Sequence, residues 1–147
     1  MLRSVFGALA FTFLCSLNPL IAQADWIDKL VEKSEHLSTF PQCDDPGVLK
    51  FIVKRFNWAE KHTWQRGFDL DVITQPRERL VLDSEERLIP RRYCRGHAQL
   101  TNGRHPTVFY LIESGQGFAG TTHNVAFCVN GLDPWRTYDG NCRVLNH

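Results

Sequence analysis

Six histidines are the first candidates for acid–base chemistry in this chain of 147 residues. They form neither an H-x-H pair nor an H-E-x-x-H motif, so their spacing does not predict a metal site. His97 could act as a general base beside Tyr93 or Tyr110, and an isolated surface histidine is the alternative interpretation. The chain also lacks the G-x-S-x-G motif of nucleophilic serines. We therefore expect no catalytic residue, no cofactor and no metal.

A run of arginines is the next candidate. Between residues 77 and 104 the chain has no lysine but seven arginines, namely Arg77, Arg79, Arg87, Arg91, Arg92, Arg95 and Arg104. An arginine presents a planar fork of donors that suits a carboxylate or a phosphate. In a strand, Arg91, Tyr93 and Arg95 share one face, which favours an anionic or aromatic partner. The alternative is internal pairing with the acidic residues of the same segment, Glu78, Asp83, Glu85 and Glu86.

Two groups of aromatic side chains are candidates for a binding surface. Phe51 and Trp58 lie seven residues apart, on the side of a predicted helix that is opposite its main apolar face. Either a partner protein or the preceding predicted helix covers this stripe. Phe118 lies in the segment Ser114–Gly120, which resembles the projecting Ser-Gly loop of periplasmic lysozyme inhibitors. That resemblance implies lysozyme inhibition as an alternative function.

The cysteines predict disulfides. Beyond the N-terminal segment they number four and allow three pairings. We expect Cys94 and Cys128 on strands that flank a common neighbour, about 9–10 Å apart, whereas a disulfide needs Cα atoms within about 7 Å. This distance disfavours Cys94–Cys128 and leaves two pairings. Of these we favour Cys43–Cys94, which ties a helix to the sheet, with Cys128–Cys142, which holds the tail. No C-x-x-C pair of the kind found in zinc sites is present.

Helical patterns occupy the first half of the chain. Residues 25–37 predict a short amphipathic helix. A second helix is predicted from Pro46 to Trp64, since Asp45 can cap it and Pro46 suits its first position. Gly67 is the residue expected to end this helix. The main apolar face of this helix consists of Leu49, Ile52, Val53, Phe56 and Ala59.

From Phe68 onward the pattern is that of strands. Alternation predicts a half-buried strand over 68–72 and the start of a short one over 80–82. The longest strand is predicted at 91–101, followed by 107–112 and 124–129. Residues 131–141 are predicted to form a polar tail loop.

Asn102-Gly103 is the strongest hairpin signal of the chain. A two-residue turn there pairs Gly96 with Phe109, and the missing side chain of Gly96 leaves room for that ring. The predicted core face then carries Cys94, Gly96, Ala98, Leu100, Phe109 and Leu111. The predicted mixed face carries Tyr93, Arg95, His97, Val108, Tyr110 and Ile112. A longer loop over 102–106 is the alternative, because Pro106 cannot donate to the ladder.

A helical first half followed by an antiparallel meander predicts an α+β domain with its N-terminal helices packed on one sheet face. The order of elements is similar to that of the small cystatin-like and NTF2-like folds, which host many functions. We expect residues 25–147 to form a single domain.

The first 24 residues are typical of a secretory signal peptide, with Arg3, an apolar run from Val5 to Leu14 and the small-x-small sequence Ala22-Gln23-Ala24. The alternative, a retained membrane anchor, suits this broken run less well. We expect a released protein without stable membrane insertion, in an oxidising compartment that permits disulfides. The chain has no Asn-x-Ser/Thr site, which favours the bacterial periplasm.

Charge excludes some classes of partner. Arg3 is the only charged residue of the first 24, and without it basic and acidic residues are equal in number. This balance disfavours nucleic acid, which needs a basic face. The sequence predicts a secreted, non-enzymatic binding domain for a protein or cell-envelope component. Its candidate binding residues are Arg91, Tyr93, Arg95, His97, Tyr110, Phe118, Phe51 and Trp58. The alternative to a binding domain is a small-ligand or NTF2-like enzyme domain with a pocket between helix and sheet.

Overall fold

A computed structural model describes residues 27, 40–83, 89–120 and 122–147. The chain divides into two compact units, Met1–Leu37 and Ser38–His147. The predicted signal peptide and nearly all of the predicted 25–37 helix lie outside the described residues. In the second unit, one helix, α1 (Pro46–Ala59), precedes four strands: β1 (Leu70–Leu82), β2 (Arg91–Leu100), β3 (Thr107–Glu113) and β4 (Asn124–Val129). Helix α1 packs on this antiparallel sheet, which makes the unit an α+β fold.

Helix α1 begins where the sequence predicts. The Asp45 carboxylate accepts the backbone N–H groups of Gly47 and Val48 at 2.8 and 3.0 Å, and Pro46 occupies the first turn. Val48, Ile52 and Phe56 are the buried residues of the helix. The predicted continuation to Trp64 is not α-helical: residues Glu60–Trp64 form a π-helical turn. Gln65 then ends the helix with a left-handed backbone, at φ 51°.

The sheet is a simple meander, in the order β1-β2-β3-β4. Strands β2 and β4 therefore flank β3, which keeps Cys94 away from Cys128. The disulfides are Cys43–Cys94 and Cys128–Cys142, each with a Cα–Cα distance of 5.7 Å. These are the two predicted pairs. Strand order excludes only Cys94–Cys128, because β-strands two places apart exceed the reach of a disulfide.

The predicted register of the β2–β3 hairpin is wrong by one residue. Gly96 pairs with Val108, not with Phe109. The turn has three residues, 101–103, since the Leu100 N–H donates to the Arg104 carbonyl and Gly103 takes a left-handed φ of +80°. A glycine in that position is typical of three-residue hairpin loops. A slip of one residue moves every side chain of one strand to the other face.

The corrected register changes the composition of both faces of the sheet. Val108, Tyr110 and Ile112 of β3 join Cys94, Ala98 and Leu100 under α1, in the larger core cluster. Phe109 and Leu111 lie instead on the outer face with Tyr93, where the C-terminal segment covers them through Cys142 and Leu145. The domain thus has a core on each side of its sheet.

One long strand replaces the two predicted at 68–72 and 80–82. Strand β1 has three register shifts against β2, between Leu70/Val72, Thr74/Arg77 and Glu78/Leu80. Because of the first shift, Ile73 is buried and Val72 is exposed, against the simple alternation of the sequence. Ile73 also explains Gly96, where an added Cβ would lie 2.8 Å from the Ile73 Cγ2. The glycine therefore makes room for Ile73, not for Phe109.

Candidate functional site

The predicted binding residues of β2 lie on the outer face of the sheet, in different surroundings. Arg95 and His97 are exposed near the hairpin. Tyr93 is only 7% exposed, because the tail covers it and the His147 ring packs edge-on at 4.5 Å. Arg91 is half-buried, and its Nε donates to Glu113 at 3.0 Å. Two of these four side chains are therefore accessible for binding.

Tyr110 lies in the core and not on the mixed face that the predicted register assigned to it. Its hydroxyl donates to the Cys43 carbonyl at 2.5 Å, across the core from β3 to the start of α1. Burial, with a smaller contribution from Asp44, raises the pKa of Tyr110 far above its usual range. The side chain thus stays neutral and serves packing beneath the helix.

Some of the arginines pair internally, as the alternative interpretation requires. Arg92 is buried, forms an ion pair with Glu78 and donates to Gln42 at 2.6 Å. Its guanidinium also lies 4.9 Å from the centre of the Phe40 ring. Arg77 and Arg95 differ, because they stand directly opposite each other on β1 and β2. Neither forms an ion pair within the described part of the chain.

The predicted aromatic candidates are at the surface. Phe51 and Trp58 are about half exposed on α1, and Phe118 is 90% exposed in a 3-10 turn, Phe118–Gly120. The Trp58 ring stacks on His62 with ring centres 4.9 Å apart and lies beneath Arg55 at 5.7 Å. The preceding helix that could cover this stripe lies outside the described residues.

A cleft of about 370 Å³ brings together aromatic side chains that the sequence analysis did not connect. It lies between the C-terminal end of α1, the edge of β4 and the loop that follows β4. Its aromatic lining consists of Phe56, Trp58, Trp64, Phe127, Trp135 and Tyr138. Trp135 is 71% exposed, and its ring contacts Trp64 edge-on at 4.3 Å. Trp64 and Trp135 are 71 positions apart, so no local pattern signals their contact; an exposed tryptophan in a predicted polar tail was the only available signal.

The π-helical turn positions one wall of this aromatic cleft. It buries Glu60, whose carboxylate forms an ion pair with Arg66, and both carboxylate oxygens accept from Arg66 Nε at 3.1 Å. Arg66 also donates to the Leu132 carbonyl at 3.2 Å and lies over the rings of Trp64 and Phe68. A single arginine thus ties the end of the helix to the loop after β4.

The loop after β4 forms the opposite wall. The Asp133 carboxylate accepts the Tyr138 backbone N–H at 3.2 Å, and Cys142 is tied to Cys128 of β4. Burial raises the pKa of the Tyr138 hydroxyl, with smaller contributions from Asp133 and Glu113. Four non-glycine residues of this loop take left-handed backbone conformations, namely Arg136, Asp139, Asn141 and Cys142. Such conformations persist only where the surroundings hold them.

A ligand pocket of the alternative kind would bring His97, Tyr93 and Asp71 together, and the structure does not. His97 and Tyr93 lie on the outer sheet face, and Asp71 is exposed at a bulge of β1. None of the three lines the aromatic cleft. The space between α1 and the sheet, where the alternative places a ligand pocket, is packed with the side chains of the larger core cluster.

Comparisons with known proteins do not extend these observations. No family model matches the chain, and neither a curated protein nor a solved structure is significantly similar to it. Within residues 40–83, 89–120 and 122–147, no cluster of three His, Cys, Asp or Glu side chains could hold a metal ion. No helix among the described residues is long and apolar enough to cross a membrane.

Proposed function

We propose that this protein is a secreted, non-enzymatic binding domain that recognises a protein or another component of the cell envelope through the aromatic cleft. The observation that carries the proposal is the convergence of Trp58, Trp64 and Trp135 around one open cleft, with Trp135 largely exposed. Exposing large indole rings to water is unfavourable, and tryptophan is enriched among the residues that dominate binding energy.

The construction of the cleft supports the same proposal. Its walls are held by the Glu60–Arg66 ion pair and by the Cys128–Cys142 disulfide. Side chains that are already fixed lose little conformational entropy when a partner binds.

We assign the protein to the bacterial periplasm. The predicted signal peptide directs the chain out of the cytoplasm, and two disulfides fit an oxidising, extracellular-type compartment. The partner is then another secreted protein or a component of the envelope.

Affinity capture with matched variants tests this function. The disulfide-bonded protein is immobilised and exposed to a periplasmic extract, and the captured component is purified and titrated against each variant. Trp135→Ala and Trp58→Ala are expected to weaken its binding by about tenfold or more. Arg95→Ala is the matched control on the outer sheet face and is expected to bind normally. Loss of binding in Arg95→Ala, with both tryptophan variants unaffected, would place the site on the outer face and contradict the proposal.

Lysozyme inhibition is a second candidate, favoured by the exposure of Phe118 in the Ser114–Gly120 loop. Excess purified protein is added to a lysozyme assay on bacterial cell walls, with Phe118→Ala as the comparison. This candidate requires slower lysis with the unchanged protein than with the variant, and equal rates would remove it.

A further inference from the structure

The outer edge of β4 lacks the features that usually keep an edge strand from pairing. Its six residues, Asn124–Val129, carry no charge and no proline, and its pairing with β3 has no register shift. Edge strands in natural proteins are commonly protected by charges, prolines or bulges, because an unprotected edge is a template for another strand. The β4 edge is therefore prepared for strand addition.

The hydrogen-bond pattern identifies the peptide groups of β4 that face away from β3. The Asn130 N–H donates to the Thr107 carbonyl at 2.8 Å, so residues 128, 126 and 124 are those that bond to β3. By alternation, the N–H and C=O groups of Val125 and Phe127 point outward. The carbonyl of Val129, next in this row, accepts the Leu132 N–H at 2.9 Å. Elsewhere in the described chain no group bonds to the outward peptide groups of Val125 and Phe127.

The aromatic cleft meets this outward row at Phe127 and Val129. Phe127, Cys128 and Val129 of β4 line it, with the end of α1 on one side and residues 132–138 on the other. A strand added to β4 would direct every second side chain towards the α1 side of the sheet, where Phe127 and Val129 face the cleft. The helix wall offers Phe56, Trp58 and Ala59, and the loop wall offers Pro134, Trp135 and Tyr138.

We infer that an extended peptide segment of a partner protein binds as a fifth strand, antiparallel or parallel to β4, with its side chains in the aromatic cleft. This inference rests on the proposed function and names the kind of partner. Main-chain hydrogen bonds to Val125 and Phe127 supply affinity, and the aromatic walls select apolar side chains at alternate positions.

Charge adds an acidic preference to the bound peptide. Three charged residues line the cleft, namely Arg55, Arg66 and Asp133. Arg66 is neutralised by Glu60, and the negative charge of Asp133 lies on the loop wall, where its carboxylate accepts a backbone N–H. Arg55 has no ion pair among the described residues and lies over the Trp58 ring. A carboxylate on the peptide next to the helix wall would complement this guanidinium.

A single extended segment is a smaller occupant of this edge than a second copy of the chain. Pairing of two β4 edges would bring a whole second domain next to Trp58 and Trp135, which line the cleft. An extended segment brings only its own alternate side chains.

Selection from a phage-displayed library of short random peptides on the disulfide-bonded protein tests the inference. The expected consensus has alternating apolar residues, an acidic residue and no proline. The matched variants are Val125→Pro, which removes an outward N–H that β3 does not use, and Val125→Ala, which keeps it. The synthetic consensus peptide is expected to bind Val125→Ala normally and Val125→Pro about tenfold or more weakly. Circular dichroism and thermal unfolding check that both variants fold.

Modified peptides keep the test valid even if the proline variant unfolds. In an added strand, alternate N–H groups of the peptide face β4, so N-methylation at every second residue should weaken binding and methylation between them should not. A consensus without this alternation would overturn the inference.

Three other occupants of the β4 edge would each give a distinct experimental result, and each result would overturn the inference. A dimer in analytical ultracentrifugation that Val125→Pro dissociates would assign the edge to a second copy. Slow hydrogen exchange of the Val125 and Phe127 amides in the free monomer would assign it to a segment of the same chain. Capture of a glycan that the tryptophan variants lose and Val125→Pro retains would preserve the proposed function while removing the peptide.

Discussion

The two edge strands of the sheet, β1 and β4, differ in charge and in the regularity of their pairing. Strand β1 has three register shifts, Pro76 and four charged residues, namely Asp71, Arg77, Glu78 and Arg79. Strand β4 is regular, uncharged and bordered by tryptophans. Both edges belong to one small sheet, so the difference does not come from the fold class. Protection of one edge and not the other supports the inference that β4 accepts a partner strand.

The disulfides give the largest expected effects. Replacing Cys43 and Cys94 with alanine opens the bridge that spans 51 positions and should lower the free energy of unfolding by about 4 kcal/mol. Replacing Cys128 and Cys142 opens the bridge that spans 14 positions and should cost about 3 kcal/mol. Urea denaturation measures both. Only the second change should also abolish binding at the cleft, since it releases the loop wall; equal loss of binding in both folded variants would contradict this assignment.

Proline substitutions on β4 should distinguish residues whose N–H bonds to β3 from residues whose N–H points away from β3. Ala126→Pro removes an N–H that bonds to β3 and should lower the free energy of unfolding by about 3 kcal/mol. Val125→Pro removes an outward N–H and should cost less than about 1 kcal/mol. Chemical denaturation of the two variants compares them. Similar losses at both positions would show that the outward row is not free.

Tyrosine variants test the register on which the β4 edge depends. Tyr110→Phe removes the hydroxyl that donates to the Cys43 carbonyl and should cost about 1 kcal/mol. Tyr93→Phe is the control, because the Tyr93 hydroxyl makes no hydrogen bond within the described residues. Thermal unfolding of the two proteins should differ. If they behave alike, Tyr110 and Tyr93 share a face, as the two-residue turn predicts.

The smallest effect is expected at the protected edge. Arg77 stands opposite Arg95, and like charges in directly paired positions destabilise a sheet. Arg77→Glu should raise the free energy of unfolding by about 0.5 kcal/mol at low salt, and added salt should reduce this gain. Arg104→Glu in the hairpin loop serves as a control for net charge. A gain of the same size there would remove the pairwise explanation.

Much of the fold could be predicted because its signals are local. Asp45 and Pro46 mark the start of α1 through hydrogen bonds and a backbone angle that depend on immediate neighbours. The predicted span of β4, residues 124–129, agrees with the structure. The meander order excluded Cys94–Cys128, and with it one of the three possible pairings, because strand spacing is nearly constant in all sheets.

The hairpin register and the bulges of β1 could not be predicted from local sequence signals alone. Asn102-Gly103 is compatible with a two-residue or a three-residue loop, and the choice depends on which strand face fills the space beneath α1. Tyr110 fills that space and bonds to Cys43, which lies 67 positions earlier in the chain. Likewise, the shift that buries Ile73 is coupled to Gly96 on the neighbouring strand.

The candidate site could likewise be predicted only in part from the sequence. The sequence identified Trp58 as a surface aromatic because helical periodicity places it opposite the apolar face. The contact of Trp64 with Trp135 and the cleft beside β4 join distant segments, which Arg66 also links by its hydrogen bond to Leu132 across 66 positions. The sequence by itself determined the start of the helix and the positions of β2, β3 and β4, and it excluded one cysteine pairing, since these depend on neighbouring residues and fixed spacings. Only the tertiary structure decided the register, the aromatic cleft and the unprotected edge, because each results from packing between distant segments.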